Sequence, residues 1–407
     1  MSRTHNRACD TLSEDLFCRG FACPQVGLHK PFLERVVVEH ARLTVQFFME
    51  RYALHLESHS SGLRPVLTNW LSGDATFDTV WNLALGDVNA ALFLRDADDM
   101  ARRAGSLGLR LLECGYPGEW ELRLPKPVCF RFDRWLLPPA DALEVSATPQ
   151  SVSLNVWSAN AWRKIAFQHR ENGWDVTDAR ALPVLAQRGM RWTVLTAESL
   201  PPRSSARLLA TETLSFGHAD VDAKAEPLLR TCGAALSLIA EFAPIYVPWV
   251  CYVVRDLIPM PATPGVANSA SGGFAPGVIC IANRNDPYAL AEILVHEATH
   301  QYLHILTMLG PLDDGTDQTL YFSPFRNTHR PVYFIIVAYH AFANVFLFLR
   351  TARAHGLSAH EHGGRTQEQL EQLRERLETL EHALQTTTAI TPLGRSLWEP
   401  LYEEIHG

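Results

Sequence analysis

The sequence predicts an α+β protein, mainly helical, with a central antiparallel β-rich region. Three observations carry that prediction. Apolar residues recur at helical spacing toward both ends of the chain. Between about 107 and 200 the pattern switches to alternation with period two, as in Glu121-Leu122-Arg123-Leu124 and Ser151-Val152-Ser153-Leu154-Asn155-Val156. The 407 residues are 47% hydrophobic, enough for one large core or two ordinary ones.

A helix is expected from Phe32 to about His55, and a second from about Asp78 to Ala104, ending near Gly105. Short strands follow to about Leu200. Ala225 to Phe242 reads as a helix, with Pro227 tolerated in its first turn. Tyr246 to Leu257 is apolar and β-branched and reads as a buried strand. Asn268 to Gly273 is a loop, and Pro276-Gly277 turns into a short strand ending at Ala282. Asp286 is an N-cap and Pro287 suits the first helical position. That helix should run to about Met308, where Gly310-Pro311 stops it. Another starts at Pro331 and ends near Ala354. Leu370, Leu373, Leu377, Leu380 and Leu384 mark one amphipathic helix over Thr366 to Thr386. The texture divides the chain into helical residues 1–105, β-rich residues 106–205 and helical residues 206–407.

The formal charge is -8 and no basic stripe is present, so nucleic acid is not an expected partner. No apolar signal-peptide core follows Met1 to Arg7. The apolar run Phe334 to Leu349 is interrupted by His340 and Asn344, which argues against a membrane span. A cytoplasmic location is the default. The eight cysteines are scattered, with no Cys-x-x-Cys pair, so neither a disulfide framework nor a zinc ribbon is expected.

His296-Glu297-Ala298-Thr299-His300 falls inside the helix expected after Pro287. Residues four apart share a helix face, so both imidazoles can reach one ion. Glu297, one position along, reaches the rim of the same site. His304 lies about 12 Å from His296 along the axis and is not a good third ligand. The third ligand decides the chemistry. Leu303 and Leu306 stand where a metzincin needs Gly and His. Residues 301–360 contain no Glu, so the thermolysin arrangement also lacks its ligand. His340, in an apolar and therefore buried helix, is the main candidate, and His329 is a weaker one. Arg330 directly precedes that helix and Arg326 is one short loop away. Arginine binds carboxylates in bidentate fashion.

Taken together, several stretches resemble the HExxH-type 2-oxoglutarate-dependent peptide β-hydroxylases of ribosomal-peptide biosynthesis. They are Asn268-Ser269-Ala270-Ser271, Pro276-Gly277-Val278-Ile279, Asp286-Pro287, Leu290-Ala291-Glu292 and Leu294 to His300. Further on they include Ser323-Pro324-Phe325-Arg326, Arg330-Pro331, His340-Ala341-Phe342-Ala343 and the closing Leu393-Gly394-Arg395. The similarity spans about residues 240–400. Phe325 departs from it, standing where Trp is expected.

The resemblance implies a mononuclear Fe(II) enzyme with His296, His300 and His340 as ligands. It implies Arg330, with Arg326 close by, as the anchor for 2-oxoglutarate, and Ser271 as a further cofactor contact. Three facial ligands on octahedral iron leave positions for 2-oxoglutarate and O2. The substrate would be a precursor peptide, and the β-rich region a possible leader-peptide site by strand addition. Glu297 would then orient a ligand or water. In the alternative, a zinc metallopeptidase, Glu297 would be the general base. Imidazole suits both metals, so the motif alone leaves iron and zinc open.

Overall fold

The structure, a computed structural model, describes residues 17–94, 99–171, 173–176, 178–196, 198–200, 220–260, 269–282, 285–357 and 363–407. The fold is α+β. Helices α1 (Lys30–Arg51) and α2 (Ala53–His59) come first, then strand β1 (Ser60–Ser61). Helices α3 (Leu63–Ser72), α4 (Phe77–Val80), α5 (Leu83–Leu94) and α6 (Met100–Glu113) follow. Next come β2 (Gly118–Val128), β3 (Arg131–Phe132), β4 (Trp135–Leu136), β5 (Ala140–Ala147), β6 (Ser151–Ser158) and β7 (Ala161–Arg170). Strands β8 (Gly173–Val176), β9 (Arg180–Ala181), β10 (Val184–Gln187) and β11 (Met190–Val194) complete the β-rich stretch. The chain continues with α7 (Asp220–Phe242), α8 (Tyr246–Val253), β12 (Asp256–Met260), β13 (Ser269–Ala270) and β14 (Val278–Ala282). It ends with α9 (Pro287–Leu306), β15 (Tyr321–Ser323), β16 (Thr328–Arg330), α10 (Val332–Ala354), α11 (Gly363–Thr386) and α12 (Pro392–His406).

Two compact units replace the three consecutive regions expected. One comprises residues 1–36, 230–254 and 283–407, and the other residues 37–229 and 255–282. The physical reason is strand pairing. Strand β12 runs parallel to β11, with Thr193 opposite Asp256, and β14 runs parallel to β12. Residues from the C-terminal half thus complete a sheet begun in the β-rich stretch.

In this second unit, β1-β2-β5-β6-β7-β8 form an antiparallel sheet, and β10-β11-β12-β14-β13 form a mixed one. Strand β6 buries every second residue, Val152, Leu154 and Val156, as its alternation requires. Ala159 and Asn160 take left-handed angles of φ 49° and 64° and form the tight β6–β7 hairpin. Helix α6 does not end near Gly105. A Cβ on Gly105 would lie 2.5 Å from a Leu122 methyl, and one on Gly108 would lie 2.7 Å from a Leu63 methyl. These glycines let neighbouring side chains press against the helix backbone; neither is a stop.

Buried charges in this unit are paired. Arg102, 2% exposed, lies 3.0 Å from Asp87 and 2.6 Å from Asp99. Arg131 meets Asp256 at 2.7 Å. Burial opposes the charge on Arg102, but Asp87 and Asp99 more than offset it and raise its pKa.

The first unit is helical. Residues 246–253 form a helix where a strand was expected. Its buried residues, Tyr246, Trp249, Val250 and Val253, follow helical spacing, and that packing overrides the β-branched composition. Helix α10 packs against α9, α11 and α12. It is a single 23-residue helix, as its Pro331 start and length predict, and His340 and Asn344 do not keep it from being long and apolar enough to cross a membrane by length and composition. However, 72% of its apolar window is buried, the pattern of a core helix. Leu370, Leu377, Leu380 and Leu384 of α11 face the interior as their spacing predicts. The seven described cysteines are free thiols.

Candidate metal centre

Helix α9 starts where its sequence dictates. The Asp286 carboxylate accepts from the backbone N–H of Tyr288 at 3.0 Å and of Ala289 at 3.2 Å, and Pro287 occupies the first turn. Leu294, Val295, Ala298 and Tyr302 are fully buried. Helix α8 braces the motif: the Trp249 ring stacks on Tyr302 at 3.7 Å, and Tyr302 donates to the Trp249 carbonyl at 3.0 Å. Thr299, the motif's fourth residue, donates back to the Val295 carbonyl at 2.8 Å.

This braced helix presents His296 and His300 side by side. Their Nε2 atoms stand 3.1 Å apart, with the rings almost perpendicular at 88°. With metal–nitrogen bonds of about 2.1 Å, such a separation subtends about 95° at a shared ion. That is close to the right angle between adjacent ligands of an octahedron. Both rings are half-buried, as a site that admits a ligand needs. Burial, then Arg326 and His340, push the His296 pKa down to about 4. Burial and His296 push that of His300 to about 3, against an opposing pull from Glu297. Both imidazoles are therefore neutral at pH 7, the form that ligates a metal. Glu297 itself is 2% exposed.

The arginines arrive on the β15–β16 hairpin. Tyr321 pairs with Arg330 across it, and Asn327 turns the chain with φ 50°. Phe325 in the turn lies flat on Phe342 of α10, 3.5 Å away with planes 3° apart. Phe342 in turn meets His296 edge-on at 4.7 Å. One aromatic chain therefore ties the hairpin to the histidine pair. Arg330 is half-buried, with its guanidinium 4.0 Å over the Phe334 ring, and burial and then Arg326 lower its pKa. Arg326 is exposed. Among the described residues neither arginine has a carboxylate partner.

His340 is buried, at 1% exposure, but it is not gathered with the pair. Among the described residues no group of three or more His, Cys, Asp or Glu side chains is placed to hold an ion. Its Nε2 donates to the carbonyls of Phe21 at 2.9 Å and Ala22 at 3.1 Å. Its buried Nδ1 has no hydrogen-bond partner among the described residues. Burial lowers its pKa to about 4. His304 is half-buried and likewise pushed by burial to about 4, whereas His329 is exposed beside Phe322. Ser271 lies in the second unit, between β13 and β14, and the histidines lie in the first.

Two further contributors were not singled out in the sequence. Asn344 is one turn beyond His340, and its amide donates to the Ala22 carbonyl at 2.7 Å and to the His340 carbonyl at 2.9 Å. The i+4 spacing from His340 was available as a signal. The Phe21 and Ala22 carbonyls left none, because a backbone oxygen has no residue type. The chain matches no protein-family model and no curated protein.

Proposed function

We propose that the chain is a 2-oxoglutarate- and Fe(II)-dependent peptide β-hydroxylase acting on a side chain of a ribosomally made precursor peptide in the cytoplasm. The observation that carries this reading is the facing pair His296 and His300, tethered through Phe342 and Phe325 to a hairpin whose two arginines have no acidic partner among the described residues.

Two imidazoles stand at the spacing of adjacent octahedral ligands, and the third ligand that the resemblance implies, His340, is not gathered with them. His296 and His300 would bind the iron through Nε2. When bound, Fe(II) with 2-oxoglutarate and O2 supplies the oxidising power to hydroxylate an unactivated side-chain carbon.

The remaining work falls to the chain's own groups. Arg330, steadied over Phe334, offers a pre-organised bidentate donor to the distal carboxylate of 2-oxoglutarate. Arg326 adds positive potential at the hairpin turn. Glu297, buried beside the pair, favours His300 electrostatically and helps to orient it. Its burial disfavours the zinc-peptidase role, in which it must reach a water.

The test is anaerobic reconstitution with Fe(II) and 2-oxoglutarate, followed by O2 and candidate precursor peptides. A weak visible charge-transfer band, succinate and a product heavier by one oxygen atom are expected. Absence of the band and of succinate, with peptide cleavage supported by Zn(II), would overturn the proposal.

A further inference from the structure

Two arginines in the second unit keep N–H donors that the protein does not use. Arg102, Ser106, Arg110 and Glu113 recur at helical spacing along one face of α6. With Arg131 of β3 and Asp87 of α5 they line a part-open cavity of about 50 Å³. Such a space holds about four waters, as many as a phosphate ion has oxygens.

The wall carries three guanidiniums against two carboxylates. Arg102 is engaged with Asp87 and Asp99. Arg110 gives Nη1 to Glu113 at 2.5 Å and Nη2 to the Asp78 carbonyl at 2.6 Å. Its buried Nε has no hydrogen-bond partner among the described residues. Arg131 makes one hydrogen bond to the described residues, from Nη1 to Asp256 at 2.7 Å, and the Ser106 hydroxyl makes none. A guanidinium has five N–H groups, so most of the Arg131 fork remains to be satisfied. Asp87 and Glu113, the two negative groups in the wall, each already accept from an arginine.

The electrostatics point the same way. Burial opposes the charge on Arg131, Asp256 and Glu113 favour it, and Arg110 opposes it as a like charge. Burial raises the Glu113 pKa against the pull of Arg110, which weakens the negative side of the wall. Two partly enclosed cations with unused donors are therefore held near each other. An anion between them relieves their repulsion and satisfies those donors together.

We propose that this cavity binds a phosphate-sized oxyanion, with Arg131 and the Nε of Arg110 as charged donors and Ser106 as a hydroxyl donor. Guanidiniums grip oxyanions through paired N–H groups, which suits the open side of the Arg131 fork. The bound anion ties α6 to β3. The site lies wholly within the second unit and does not depend on the metal reading.

The test is calorimetric titration of the full chain with inorganic phosphate, at constant ionic strength in chloride, with acetate as the comparison. Saturable phosphate binding with a Kd of about 1 mM or tighter is expected, with acetate bound more weakly. No saturable phosphate binding, or acetate bound as tightly, overturns the proposal. Two variants place the site, with circular dichroism as a check on folding. Arg131→Gln should weaken phosphate binding about tenfold or more, because a charged donor is lost. Ser106→Asp puts a carboxylate where the oxyanion belongs and should abolish binding. Wild-type affinity in either folded variant overturns the proposal. The wild-type titration decides by itself where a variant does not fold.

Discussion

Two sets of ionisable side chains, one in each compact unit, are held in opposite ways. In the second, the buried Arg102 and the half-buried Arg131 are held as charges, each against carboxylates within 3.0 Å. In the first, His296, His300, His304 and His340 are enclosed as neutral groups, all with lowered pKa values. Arg102, matched to two counter-charges, has no capacity left for a ligand. A buried neutral imidazole with an open lone pair does.

The contrast can be broken at several points. The largest effect is expected at the pair itself: His296→Ala or His300→Ala should reduce Fe(II) affinity below detection in chelator competition, with melting little changed. An affinity within threefold of wild type would remove the pair from the site. Next is Arg102→Ala, which removes the guanidinium 3.0 Å from the buried Asp87 and 2.6 Å from Asp99 and should cost about 3 kcal/mol in chemical denaturation. A cost near zero would mean that these charges are not buried as described.

A smaller effect concerns pH. The His340 pKa in the folded protein, about 4, lies below the ordinary value of 6.5. The unfolded chain therefore binds the extra proton first. The stabilising contribution is complete above about pH 6.5 and is lost as pH falls toward 4, by up to about 1.4 kcal/mol per pH unit for this residue. Hydrogen exchange should show the histidine-bearing unit opening before the ion-paired one as pH drops from 7 to 5. Simultaneous opening would blunt the comparison.

The smallest effect is at Asp317. Its carboxylate accepts from Thr387 and Tyr321, each at 2.6 Å, and these bonds hold its pKa well below the usual carboxylate range. The depressed value means stability that is present above about pH 4 and lost below it. Asp317→Asn should lower the melting temperature slightly at pH 7 and leave a shallower acid limb. An unchanged acid limb would show that these bonds do not carry that dependence.

What the sequence revealed followed how local each feature is. Helix α9, its Asp286 cap and the His296–His300 face depend on residues within a few turns, and they stand where the spacing put them. Helix α8 was misread, because β-branched composition masked the spacing of Tyr246, Trp249, Val250 and Val253. Gly105 looked like a helix end, because the Leu122 side chain that needs its missing Cβ comes from a strand after the helix. The hydrogen bond from His340 to Phe21 spans 319 positions and ends on a backbone oxygen, so no local pattern could announce it.

The most direct test of the central claim is an iron-edge anomalous difference map from crystals grown anaerobically with Fe(II). The account predicts one peak about 2.1 Å from both His296 Nε2 and His300 Nε2. No peak beside the pair, or a peak bound elsewhere in the chain, would contradict it.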